Sequence, residues 1–332
     1  MIIHRMLPLA LLAAVSCNFA LVQKSIAQDS AATQLQKNPF WHDGKAEISS
    51  YTLEYPRYGE KRTGTAVAIF VTEPISRATR IKIERPGHDP ADMLQVMKLN
   101  LVKDFQTGVY DYNLMTSVFL ALQPFDDRKA GSVAKVSFSA QEWCGQAYQQ
   151  VLFRANGVED SWHSYFQAEG DGKQLLPAEN AGLSEDALLL WARGWAEPVL
   201  NSGESRQAKV LRSLEHSRLR HVPVSWLDAT LSRGAELIDV KTANENIKCR
   251  VLSVVIKKQS PAGSKANADS AGADLTWTIY VEDAAPNRVV QWETSDGERA
   301  ILNKSARMPY WQLQSNADES KLKELDLKPV GN

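Results

Sequence analysis

Between Lys45 and Glu169, apolar and polar residues alternate over runs of strand length, with Gly, Pro, Asn and Asp at the breaks. A period of two fits an extended chain with one face buried, so strands are expected over 51–55, 64–72, 81–84, 97–102, 108–122, 133–142, 146–154 and 161–168. Short turns between most of them imply hairpins. The expected fold class is therefore mainly β: a large curved antiparallel meander, half-open barrel or sandwich-like.

Helical periodicity is scarce. Its clearest instance begins at Ser184, whose hydroxyl can cap free amides while Glu185 and Asp186 meet the positive helix end. Leu188, Leu189, Trp191, Ala192 and Trp195 then share one face and Pro198 stops the run, so one amphipathic helix over 184–197 is expected to pack on the sheet. The β pattern resumes over 210–219, 237–240, 247–257, 275–281, 288–294 and 299–303. The stretch 260–274 has no large apolar residue, which predicts a flexible hairpin tip. From about Asn316 the chain is charged and reads as a frayed tail. The expected divisions are a signal peptide (1–27), an N-terminal β half (38–180), a helix with a C-terminal β half continuous with it (181–315), and the tail (316–332).

The first residues predict export. His4 and Arg5 precede an apolar run from Leu7 to Val22, and Ser25-Ile26-Ala27 puts small residues before a cut at Gln28. A second site competes: Ala13-Ala14-Val15-Ser16-Cys17 is a weak lipobox that would make Cys17 a lipidated N-terminus. Periplasmic or otherwise exported location is expected, an outer-membrane lipoprotein if Cys17 is used. Lys plus Arg (38) and Asp plus Glu (39) nearly cancel, and with export this argues against nucleic acid as a partner. After processing at Ala27, Cys144 and Cys249 remain, either as one disulfide or as two buried thiols.

No motif announces catalysis. There is no Gly-x-Ser-x-Gly elbow. Gly172-Lys173 has Gln167 where a phosphate loop needs its first Gly, and Leu175 stands where a dinucleotide fingerprint needs its third, so no cofactor is expected. The histidines lack metal-ligand spacing. His216 and His221 share a basic run with Arg212, Arg218 and Arg220, either the solvated face of a strand or a contact for anionic head groups. Gln141-Glu142-Trp143-Cys144-Gly145 gathers an acid, an indole and a thiol at a strand end; Glu142 is a turn acid or, with His42 and Asp43 nearby in space, a general acid. Aromatic residues line successive strands, among them Tyr110, Tyr112, Phe138, Trp143, Phe153 and Tyr165. They fill a core or line an apolar pocket.

Two stretches resemble known families. Thr276-Trp277-Thr278-Ile279-Tyr280-Val281, Ala285-Pro286-Asn287-Arg288-Val289-Val290-Gln291-Trp292, Asp296-Gly297-Glu298 and then Arg307-Met308-Pro309-Tyr310-Trp311 are similar to a strand and turn pattern of exported bacterial proteins of the DUF3108 kind. The N-terminal half, from Phe40-Trp41-His42-Asp43-Gly44-Lys45-Ala46-Glu47 to Gln141-Glu142-Trp143-Cys144-Gly145, resembles exported proteins often labelled septum formation inhibitor Maf. These resemblances imply a fold and export, with no assigned activity. By looser analogy, such meanders resemble the half-open barrels of periplasmic lipoprotein carriers.

The expected function is a non-enzymatic envelope protein that binds an apolar or amphipathic molecule, such as a lipid, or an envelope partner, with membrane-surface association. Trp143, Trp191, Trp195, Arg218 and Arg220 are the candidate contacts. A carboxylate-dependent hydrolase near Glu142 and a purely structural envelope component are the alternatives.

Overall fold

The computed structural model describes residues 36–167, 169–258 and 273–329; the expected signal segment and most of 260–274 lie outside them. Eight strands run as a meander: β1 (Ala46–Arg57), β2 (Glu60–Ser76), β3 (Met93–Thr107), β4 (Tyr110–Ala121), β5 (Val133–Glu142), β6 (Gly145–Arg154), β7 (Gly157–Ser164) and β8 (Asp171–Leu176). The second half adds β9 (Leu183–Ser184), β10 (Ser205–Leu211), β11 (Trp226–Arg233), β12 (Ile238–Lys241), β13 (Asn246–Ile256), β14 (Leu275–Glu282), β15 (Val289–Thr294) and β16 (Arg299–Met308). All sixteen belong to one sheet, in the order β8 to β1 and then β16 back to β9, with β12 pairing beside β13. The two halves join where β1 pairs antiparallel with β16. One sheet this wide must coil, because strand twist accumulates across it. The result is a half-open barrel rather than a two-sheet sandwich.

The alternation decides which side chains face inward. Tyr51, Leu53 and Tyr55 of β1, Met97, Leu99 and Phe105 of β3, and Ile279 and Val281 of β14 enter one continuous core. The first half of β1 is buried on both faces. Ala46 and Ile48 turn outward, where Val71, Met308 and Leu325 cover them. Leu325 ends a 3₁₀ helix, Asn316–Leu325, opened by a capping box between Ser315 and Asp318. The expected frayed tail is thus, as far as Leu325, a strap over the outer face.

Between the two halves the chain crosses the interior. Here the expected amphipathic helix gives way to a 3₁₀ turn, Glu185–Ala187, and a short helix α1 (Leu188–Ala192) whose five residues are all buried. Gly194, at φ +88°, ends it, and the Trp195 N–H bonds the Leu190 carbonyl at 3.1 Å. A helix apolar all round belongs inside a barrel, which is why it plugs the sheet instead of lying on it. Ser184 makes no cap; its hydroxyl is buried without a partner. The expected strand over 210–219 is also corrected. β10 stops at Leu211, and Leu214–Arg220 forms helix α2, capped by Ser213 at its start and by left-handed His221 at its end.

Three smaller differences have plain causes. The segment 81–84 makes only a bridge between Lys82 and Ile75, because Arg80 sits at φ +59° and Ile81, 63% exposed, has no apolar face to bury. The strand expected over 161–168 is shifted to β7, ending as Tyr165 enters a turn. β8 and β11 were not expected. β8 is a polar edge strand held by pairing with β7, whereas Ala229 and Leu231 of β11 do alternate inward.

A meander sends alternate turns to opposite ends. The β1–β2, β3–β4, β5–β6, β7–β8 and β15–β16 turns share one end with α2, called the mouth here. The long β2–β3 and β4–β5 connections lie at the other.

Candidate functional site

At the mouth, between α2, the Glu185–Ala187 turn and β14, the interior opens as a cleft of about 80 Å³. The charges that line it are intrusions into apolar positions. Lys103 follows Leu99 and Leu101 on the inward face of β3, and its ammonium meets Glu298 at 2.8 Å and Glu215 at 3.0 Å. Glu298, in the β15–β16 turn, also accepts from the Trp292 indole at 2.7 Å, and Glu215 on α2 accepts from the Tyr55 hydroxyl at 2.7 Å. Burial alone would lower the Lys103 ammonium, but the two glutamates outweigh it and hold it above its ordinary value. Burial raises the Glu298 carboxyl, with Lys103 opposing and Glu215 assisting.

A second group stands opposite. Glu185 pairs with Arg212 and accepts from the Trp277 indole at 2.9 Å and the Ser213 amide at 2.9 Å. Asp186 accepts from the Ser213 hydroxyl at 2.8 Å and the Leu214 amide at 3.1 Å, so two consecutive carboxyls tether the start of α2. Burial pushes Asp186 up to about 7 despite those bonds, and Glu185 and Glu215 add to the rise. Burial, with Arg212 beside it, lowers His216 to about 4; its Nδ1 accepts from the Arg212 guanidinium at 2.8 Å, so the ring is neutral. Around the cleft stand five carboxyls and three cations, with leucines, Tyr55 and Trp277 as apolar walls.

The expected contact residues do not converge. Trp191 and Trp195 are core: the Trp191 indole bonds the Pro198 carbonyl at 2.9 Å, and Trp195 stacks edge-on against Trp41 at 5.2 Å. Arg193 between them forms a buried bidentate pair with Glu47 at 2.7 and 3.0 Å. Arg218 is a correction: on a helix rather than a strand it faces inward, over Trp162 and 3.3 Å from Glu169. Arg220 is exposed at the cleft, and Trp143 stands open at the β5–β6 tip. Glu142 accepts the Cys144 amide at 2.7 Å. His42 and Asp43 precede β1 at the far end, roughly 30 Å of strand away. No acid and base cluster forms there. Cys144 is exposed, Cys249 is buried, and both are free. Among the described residues no group of His, Cys, Asp or Glu could hold a metal ion.

The concave face is filled. Tryptophans 191, 195 and 292 sit in the interior together with Tyr51 and Phe70. A second interior gap, under α1, measures about 40 Å³. The cleft itself has room for several waters or a small polar group, well short of the few hundred Å³ a lipid-sized pocket needs. Sequence reasoning missed Lys103, Glu185, Asp186, Arg212, Glu215 and Glu298 as a set. One signal existed: the period of β3 puts Lys103 on the same face as Leu99 and Phe105.

No family model matches the chain, and no curated protein matches it. Among solved structures, it is similar to a beta-barrel-like protein of domain of unknown function DUF1849 from Brucella abortus. The two are 10% identical, with 79% of this chain and 97% of that chain covered, at a TM-score of 0.45.

Proposed function

We propose that the chain is an exported, non-enzymatic envelope protein whose mouth cleft seats the small cationic head of an amphipathic ligand. The observation that carries this is the charge of the cleft: five carboxyls, with Asp186 raised to about 7 and Glu298 also raised, against three cations, with His216 neutral. An ammonium would offset part of that excess, and Tyr55 and Trp277 suit the carbon atoms beside it. The tail of such a ligand stays outside, because the interior is occupied by α1 and its neighbours. Export rests on the apolar run before Ser25-Ile26-Ala27. Among the described residues, no helix is long and apolar enough to cross a membrane. A structural envelope role is the second reading, favoured by the filled interior.

Native mass spectrometry of protein purified from its own envelope should detect an amine-bearing amphiphile. Leu275→Trp, which fills the cleft mouth, should abolish that adduct with the circular dichroism unchanged. An adduct that persists in the variant, or none in any preparation, refutes cleft binding and leaves the structural role. The mass of the mature N-terminus distinguishes cleavage at Ala27 from lipidation at Cys17.

A further inference from the structure

Four successive hairpin tips at the mouth carry apolar side chains into the open. Tyr58 is 59% exposed, Val109 81%, Trp143 72% and Tyr165 73%. The aromatic members form an arc. The Tyr110 hydroxyl bonds that of Tyr58 at 3.2 Å, Tyr58 meets Tyr112 at 2.6 Å, and the Tyr110 and Trp143 rings stand 6.5 Å apart. Successive tips are two strand widths apart, so the arc spans about 30 Å.

The charges along it are unequal in availability. Glu60 is held by Arg62 at 2.7 Å, Asp111 by the Trp143 indole at 3.0 Å, Glu142 by the Cys144 amide, and Glu169 by Arg218 and His221. Arg220, exposed beside them on α2, makes no hydrogen bond or ion pair among the described residues. Most acids of the rim are thus answered internally, Asp104 on β3 being the exception, while Arg220 and Lys173 on β8 are left for an outside phosphate.

We infer that this rim docks the protein on a phospholipid surface, with Trp143 and Tyr165 entering to head-group depth and Arg220 meeting phosphate. Protein interfaces are contiguous patches with a packed apolar centre. Separate protruding tips, spaced by two strands with polar backbone between, fit a yielding surface instead, and Trp and Tyr are the side chains that rest at head-group level. The inference goes beyond the cleft reading and does not need the cleft to hold a ligand.

The test is co-sedimentation of the purified chain with vesicles of phosphatidylcholine and phosphatidylglycerol in equal parts, with tryptophan quenching by brominated acyl chains. The wild type should bind and be quenched. Trp143→Phe should still bind but lose the quenching, since Trp311, the other exposed tryptophan, lies at the opposite end. Trp143→Ser with Tyr165→Ser should weaken binding at least tenfold, about the effect of removing one ring from an apolar phase. Arg220→Glu should weaken binding to the mixed vesicles and not to phosphatidylcholine alone. If the double variant fails to fold, Val109→Ser gives the same test with a smaller loss. Binding unchanged in Trp143→Ser with Tyr165→Ser, quenching that survives Trp143→Phe, or a rim that captures a protein while vesicles stay unbound would each overturn the inference.

Discussion

Asp186 and His216 face the same cleft with opposite displacements, and this makes the pH dependence of stability a direct test of the site. The Asp186 carboxyl is raised from 3.8 to about 7, so the folded chain holds a proton there that the unfolded chain has released. Stability from this group is full below about pH 4 and is lost as pH rises to about 7. At about 1.4 kcal/mol per unit, the loss is about 4 kcal/mol. His216 is lowered from 6.5 to about 4, so here it is the unfolded chain that binds the extra proton. Its effect runs the other way, and stability rises by about 3 kcal/mol between pH 4 and 6.5. In the wild type the two slopes offset one another over most of that window.

Asp186→Asn keeps the shape of the protonated acid and can still accept from the Leu214 amide, but it has no proton to lose. The variant should gain on the wild type steadily from pH 4 to 7, by about 4 kcal/mol in total, and expose the rising His216 limb. His216→Asn should show the complement, a stability that falls with pH. Urea unfolding followed by tryptophan fluorescence, at fixed ionic strength and pH 4 to 8, measures both. Parallel profiles for wild type and Asp186→Asn would refute the reasoning, because groups common to both proteins cancel in the difference.

Glu47→Gln leaves the Arg193 charge buried and half-answered, and should lower stability by about 3–5 kcal/mol in urea titration. Adding Arg193→Met should recover much of that loss. Gly64→Ala would put a Cβ 2.1 Å from the Asp104 carbonyl oxygen across the β2–β3 ladder, and should cost about 1–3 kcal/mol with a matching fall in Tm. Of the two described thiols, a maleimide should label exposed Cys144 in the native protein and reach Cys249, whose thiol burial pushes up to about 12, only after unfolding. Two labels, or none, on the native chain would contradict that.

The strands were legible where one face is buried and the other wet, because the alternation is then in the residues themselves. β5 carries that pattern from Val133 to Glu142. β8 is not legible, since Asp171 and Lys173 are exposed, Gln174 turns inward only to bond Asp160, and the strand exists by pairing at an edge. The 184–197 segment reads as amphipathic because its leucines can share one face, whereas inside the barrel all faces of α1 are buried. Val210 to Leu219 misled for a different reason. Ser213 ends the strand by capping a helix, and the carboxyls that tether that cap come from Glu185 and Asp186, far back in the chain. The cleft shares this property: its charges come from β3, α2 and two turns, and only the fold brings them together.

The parity of the meander explains why both candidate sites share one end. In an antiparallel run, odd-numbered turns all fall on the same edge, so a selective pressure on one edge acts on every second turn. Here those turns carry exposed apolar side chains, Tyr58, Val109, Trp143 and Tyr165, while the alternate turns between β2 and β3 and between β4 and β5 are long and folded back. Arg80 and Phe125 from those long turns stack at 5.0 Å and close the far end against Ile75 and Leu94. The far end is therefore finished by its own chain. At the mouth, β10 passes into α2 without covering the tips, and the cleft opens beside Arg220. A ligand head reaching the cleft must cross the same rim that would meet a lipid surface, so loss of rim binding should slow ligand entry without changing the cleft's selectivity. Equal entry rates in wild type and the Trp143→Ser/Tyr165→Ser variant, measured on vesicle-borne amine, would separate the two sites.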